Sequence, residues 1–102
     1  MAKYQGFQLQ HTAESFTDSS LINTDCMQID IENQGQQTAV IQIKNSNVSF
    51  NLNVGESIRF PASGNTNPLA KLIDSYSVSF TGVGTKKIVS TKCYAMSAEI
   101  TL

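Results

Sequence analysis

Residues 39–60 read AVIQIKNSNVSFNLNVGESIRF, and along that stretch apolar side chains fall on every second position through two turn signals. Ala39, Ile41 and Ile43 share one parity; Val48, Phe50, Leu52 and Val54 share the other, and Ile58 and Phe60 continue it. Side chains alternate faces along a strand with a period of two, so the pattern describes half-buried strands on a core and not a helix. It predicts an all-β fold.

The same stretch specifies its own pairing. A hairpin centred on Asn45-Ser46 sets Ile43 opposite Val48, Ile41 opposite Phe50 and Ala39 opposite Leu52, all on one face. A slip of one residue would set apolar residues against Gln42 and Asn51, which fixes the register. The next connection differs. Gly55 suits a type II turn over Asn53-Val54-Gly55-Glu56, yet a two-residue loop there would pair Leu52 with Arg59 and turn the following strand inside out. Either the loop has an odd length or the chain arches to a facing sheet; the arch, a sandwich connection, is the expectation.

Working outward, Met27, Ile29 and Ile31 alternate with Gln28, Asp30 and Glu32 as a strand with one wet face. Asn33 to Gln37 turns the chain, with Gly35 free to take positive φ. Phe7 and Leu9 mark a short first strand. Tyr76, Val78 and Phe80 mark another, followed by a Gly82-Val83-Gly84 hairpin turn and a returning strand over Lys86 to Thr91. Leu69 to Ile73, after Pro68, suits one helical turn, too short to stand alone. Tyr94, Met96, Ala98, Ile100 and Leu102 alternate to the last residue, a strand that must be held in a sheet by this copy or a neighbour.

The fold expectation is one domain over 1–102, a single antiparallel β-sandwich, immunoglobulin-like or jelly-roll-like, of about 7–8 strands. One segment stands apart. Thr12 to Thr24 is polar with isolated Phe16, Leu21 and Ile22, and 12–24 reads as a polar arm or long loop pinned by another subunit. Phe16, with Leu21 and Ile22, is the expected interaction set.

Composition bounds the function. Only 15% of residues are charged, against a usual quarter or so. Ser, Thr, Asn and Gln make up 37 of the 102 residues, so the surface is hydrogen-bonding rather than ionic. A net charge of -1, with lysines scattered except for Lys86-Lys87, offers no footprint for a phosphate backbone, and no direct nucleic-acid partner is expected. It also does little to keep copies apart, which fits an assembly. No window approaches the roughly 18 apolar residues of a membrane span, and no basic segment with an apolar core opens the chain, so neither membrane nor secretion is expected. Cys26 and Cys93 lack metal-knuckle spacing and read as reduced, unbridged thiols.

Nothing in the chain assembles a reaction centre. The single histidine, His11, has no second histidine for a zinc pair, and no Gly-x-Ser-x-Gly elbow accompanies it. Gly82-Val83-Gly84-Thr85 lacks the third glycine or Gly-Lys-Ser/Thr of a phosphate loop. Asp30, Glu32, Asp74 and Glu99 sit on wet strand faces or at strand ends. Tyr76 and Tyr94 share the parity of their strands' apolar residues, as core aromatics do, and with Tyr4 they make no clustered stacking platform. The expectation is a protein with no catalytic residues, no bound metal and no cofactor.

Ile29 to Ile58, with its alternating strand, Asn-Gln-Gly turn, strand pair and Leu52-Asn53-Val54-Gly55-Glu56-Ser57, resembles small immunoglobulin-like or jelly-roll-like β-sandwich proteins of tailed bacteriophage virions. The stretch Asp74 to Phe80, the glycine turn and the returning strand are similar in order to the second half of those domains. Their turn is commonly Leu-x-Pro-Gly-Glu-Ser, and Val54 stands here where proline is usual. The resemblance implies a non-enzymatic virion structural protein, made in the host cytoplasm and present in many copies. Its role would be capsid decoration or cement, or a neck, tail or fibre-attachment component. Its partners would be other virion proteins and further copies of itself. The alternative is a β-sandwich module that binds glycans or a cell surface, since sandwiches present loops at their ends and amides suit hydroxyl recognition. That alternative requires an exposed aromatic flanked by Asn or Asp in a concave site.

Overall fold

A computed structural model describes residues 3–67 and 69–101, with side chains over 8–67 and 69–96. Among these residues the chain forms eight strands: β1 (Lys3–Phe16), β2 (Ser20–Asn23), β3 (Gln28–Asn33), β4 (Thr38–Ile43), β5 (Ser49–Leu52), β6 (Ser57–Phe60), β7 (Ser75–Thr81) and β8 (Ile88–Thr101). They make two four-stranded antiparallel sheets, ordered β1-β8-β3-β6 and β2-β7-β4-β5. The fold is a β-sandwich.

The expected hairpin joins β4 and β5 in the expected register, with Ala39 opposite Leu52 and Ile41 opposite Phe50. Asn45 takes a φ of 62° at its turn, a conformation Asn tolerates better than most residues. Gly55 turns the next connection with a φ of 84°, and the Glu56 N–H donates to the Asn53 carbonyl at 3.0 Å. That connection is an arch, since β5 and β6 lie in different sheets. So is the connection through Gly82-Val83-Gly84: β7 and β8 also lie in different sheets, which corrects the expected hairpin. Parity on each strand was readable there, but local turn residues do not say which sheet receives the next strand.

The core is built from the alternating positions. Ile29 and Ile31 of one sheet face Ala39, Ile41, Leu52, Tyr76 and Val78 of the other, with Ile22, Cys26 and Ile88 completing the buried cluster. Phe60 spans the layers, its ring stacked on Tyr76 at 4.4 Å between centroids and tilted against Phe50 at 5.7 Å. Tyr94 packs against the rim of the same cluster.

Three arches at one end of the sandwich meet at Asn33, which is fully buried. Its Nδ2 donates to the carbonyls of Gln37 at 2.7 Å and Leu52 at 2.9 Å, while Oδ1 accepts from the Gly35 N–H at 3.0 Å. Its backbone N–H donates to the Glu56 carbonyl and its carbonyl accepts from the Gly55 N–H. The flanking Gln34 and Gln36 N–H groups donate to the Lys87 and Thr85 carbonyls. Gly35 is required here for a different reason from the one expected: it is not among the positive-φ residues, but a Cβ would lie 2.6 Å from both the Lys87 nitrogen and the Thr85 oxygen. The glycine permits two arches to touch.

Two further expectations are corrected. The first strand is not short: β1 runs fourteen residues and pairs with β8 along its whole length. The polar arm at 12–24 is not an arm, because Thr12 to Phe16 is the end of β1 and Ser20 to Asn23 is β2, hydrogen-bonded to β7. Main-chain pairing, together with the packing of Phe16 and Ile22 against the core, orders this polar stretch. The helical turn placed after Pro68 starts on a residue outside the described ones; Leu69 to Ile73 contains no helix, and Leu72 bridges to Cys26.

Candidate interaction surfaces

β8 has two halves. From Ile88 to Cys93 it lies between β1 and β3; from Tyr94 to Thr101 its pairing is with β1 alone. Lys3 to Gln10 and Tyr94 to Thr101 therefore form a two-stranded ribbon of eight residue pairs, about 27 Å long at the usual rise per residue, extending beyond the sandwich. The molecule is elongated accordingly. Its extents are 61 × 26 × 20 Å and its radius of gyration is 16.2 Å, where a compact chain of this length has about 13 Å. A lone two-stranded ribbon is marginal in water, and this one leaves both outer edges without a strand among the described residues. Leu9 and Met96, 57% and 50% exposed, lie on it.

At the root of the ribbon the 61–72 segment folds against β3. The Met27 N–H donates to the Cys93 carbonyl at 2.9 Å. Asn65 Nδ2 donates to the carbonyls of Met27 and Ala70, and the Thr24 hydroxyl donates to the Leu72 carbonyl at 2.9 Å. Met27, Pro61, Gly64, Asn65, Lys71 and Leu72 line an open depression of about 280 Å³ there. Its only charged side chain is Lys71, which lies 3.8 Å from Asp25.

The outer face of the β2-β7-β4-β5 sheet is a neutral polar grid. Ser77 sits between Leu21 and Gln42, and Ser79 beside Val40, which is itself opposite Asn51. The outer face of the other sheet carries Asp30 paired with Arg59 at 2.8 Å, an ion pair half open to solvent that contributes at most about 1 kcal/mol.

The expected interaction residues separate. Phe16 packs against the core from the end of β1, and Ile22 is buried at 1% exposure opposite Tyr76, so neither is an anchor for another subunit. Leu21, on the alternate face of β2, is 47% exposed and remains on the surface. The ribbon was missed because the alternation of Phe7 and Leu9 lapses at His11 and Thr12 and so marked only a short strand; the signal available was the long alternation from Tyr94 to Ile100, which needed a partner strand.

The residues weighed for chemistry stay apart. His11 is exposed on β1 opposite Cys93, and no group of three metal-ligating side chains occurs among the described residues. Asp30 is held by Arg59, and Glu32 accepts from Gln34. The side chains of Tyr4 and Glu99 lie outside those described. Tyr76 is a core residue, as expected, with burial raising its phenol to about 12. Cys26 is a buried free thiol whose pKa burial raises, against an opposing pull from Lys92; Cys93 is free and half-buried. No aromatic side chain among those described is exposed. Comparison with protein-family models, with curated proteins and with solved structures found no match to this chain.

Proposed function

We propose that this chain is a non-enzymatic structural protein of a bacteriophage virion, incorporated in many copies as capsid decoration or cement, or in the neck, tail or fibre attachment. The observation that carries the reading is the ribbon: a sandwich that extends two paired strands about 27 Å past its own body, with edges that have no strand partner among the described residues, is suited to completion by neighbours. The neutral Ser, Thr, Asn and Gln surface supports it, since such faces dock at low electrostatic cost. The glycan-binding alternative draws no support from the described side chains, which present no exposed aromatic to a sugar ring.

Quantitative mass spectrometry of purified particles is the test. A structural component appears at fixed stoichiometry with the other virion proteins and persists through gradient purification. Absence from purified virions overturns the proposal.

A further inference from the structure

We infer that His11 of β1 and Cys93 of β8 form a two-ligand site for a divalent metal ion of the zinc class, which clamps the root of the ribbon. The site is a property of the chain itself and does not depend on a role in a particle.

The register places the pair. His11 and Cys93 are direct partners across β1 and β8, and residues opposite one another in antiparallel strands point to the same face. That face is the outer one. Ile31 and its partner Ser90 hold the buried parity of β3 and β8, whereas Cys93 stands opposite Gln28, in step with Asp30 and Arg59.

The kind of pair matters as well. The Cys93 carbonyl accepts from the Met27 N–H at 2.9 Å and the Lys87 carbonyl from the Gln34 N–H, so odd-numbered residues of β8 turn their peptide groups toward β3. Toward His11, Cys93 is therefore a non-hydrogen-bonded partner, the kind whose Cα atoms lie about 4.5 Å apart and whose side chains come closest. A tetrahedral ion about 2.3 Å from a sulfur and about 2.0 Å from a ring nitrogen needs those two atoms about 3.5 Å apart, which such a pair can span.

The surroundings leave room for the ion. Cys93 is a free, half-buried thiol and His11 is exposed, and the diagonal neighbours Ala13 and Ala95 are too short to cover them. Gln28 Oε1 accepts from the Asn65 N–H at 3.3 Å and Asp30 is held by Arg59 at 2.8 Å, so the next polar groups on that face are already engaged. On binding, the Cys93 thiol releases its proton to water, an unprotonated ring nitrogen of His11 supplies the second lone pair, and water completes the coordination. Sulfur with imidazole selects zinc-class ions over magnesium or calcium, which take oxygen ligands. Two protein ligands make a clamp and not a reaction centre.

Position gives the clamp its effect. Cys93 is the last residue of β8 paired with β3, so the ion ties β1 to β8 where the ribbon leaves the sandwich. Binding energy there stabilises the ribbon pairing beyond it.

Cobalt(II) titration of the reduced full chain should give a thiolate-to-cobalt charge-transfer band at one ion per chain, displaced by zinc. His11→Ala and Cys93→Ser, both away from the core, should each raise the dissociation constant at least about tenfold with an unchanged circular dichroism spectrum. Zinc should slow amide hydrogen exchange in Lys3 to Gln10 and Tyr94 to Thr101 of the parent chain, and leave it unchanged in His11→Ala. Absence of the band up to about 1 mM cobalt overturns the inference. So does a band that survives either substitution, a stoichiometry other than one ion per chain, or zinc binding without protection of the ribbon.

Discussion

Asn33 of β3 donates from Nδ2 to the carbonyl of Leu52 at the end of β5, 2.9 Å away in the facing sheet. With the bonds to Gln37 and Gly35, this one buried amide satisfies three main-chain groups in two different arches. It ties the strand that precedes one crossing to the strand that precedes another. A buried polar side chain with all its bonds made specifies a single arrangement; with any bond missing it becomes costly.

Asn33→Ala should therefore lower stability by about 3 kcal/mol, since it leaves three main-chain groups unpaired in the core. Asn33→Asp should be at least as damaging, because an ionised carboxylate cannot donate to the Gln37 and Leu52 carbonyls. Urea unfolding monitored by circular dichroism measures both. A loss below about 1 kcal/mol for Asn33→Ala would show that the arches hold without it.

Gly35 and Gly55 should respond differently to substitution. Gly35→Ala sets a methyl 2.6 Å from backbone atoms that cannot swing aside, and should cost at least about 2 kcal/mol. Gly55 faces open space at a φ of 84°, so Gly55→Asn should cost less than Gly55→Ala, which itself should lie near about 1 kcal/mol. Thermal melts of the three variants give the order directly; equal losses at the two glycines would contradict the close approach at Gly35.

Ser90 lies in the middle of the first sheet at 1% exposure, and its hydroxyl has no hydrogen-bond partner among the described residues. Removing an unpaired buried hydroxyl relieves its desolvation. Ser90→Ala should raise stability by about 1 kcal/mol, read as a higher melting temperature. A lowered one would mean that the hydroxyl is bonded in solution.

Phe60 should matter more than Phe50. It stacks on Tyr76 and contacts Phe50, bridging the two layers, so Phe60→Ala should cost about 3–5 kcal/mol. Phe50→Ala removes only the tilted end of the trio and should cost less. The reverse order in denaturant titration would relocate the inter-sheet contact.

The buried Tyr76 phenol makes stability depend on alkaline pH. Its pKa rises from 10.0 to about 12 on folding, through burial first and the charge of Asp74 second. The unfolded chain ionises earlier, so the contribution is complete below pH 10.0 and is lost as pH rises toward about 12. Melting temperatures across that window should fall, and Tyr76→Phe should flatten the fall. An equally steep decline in the variant would assign it elsewhere.

The β4–β5 hairpin was legible because everything it needs is local: Ile41 and Phe50 are nine positions apart, share a face by parity and flank a turn whose residues suit it. The arch after Leu52 was legible by the same parity, which excluded the tight alternative. The turn at Gly82 to Gly84 was not, because a glycine turn looks the same whether the next strand stays in its sheet or crosses. Phe16 and Ile22 were misread for a related reason. An apolar residue isolated in a polar stretch shows no period, and only the strand it pairs with decides whether it faces solvent or the core.

By itself, the amino-acid sequence determined that this protein is all-β, because period-two alternation is a property of single strands and survives in any arrangement of them. It also determined a neutral, hydrogen-bonding surface, which composition alone dictates. Only the tertiary structure decided that β1 pairs with β8 to make a projecting ribbon, that Asn33 and Gly35 hold the arches together, and that Ser90 is left unpaired. Those outcomes depend on main-chain hydrogen bonds and close approaches between residues dozens of positions apart, and backbone groups, identical in nearly every residue, leave no mark in the sequence.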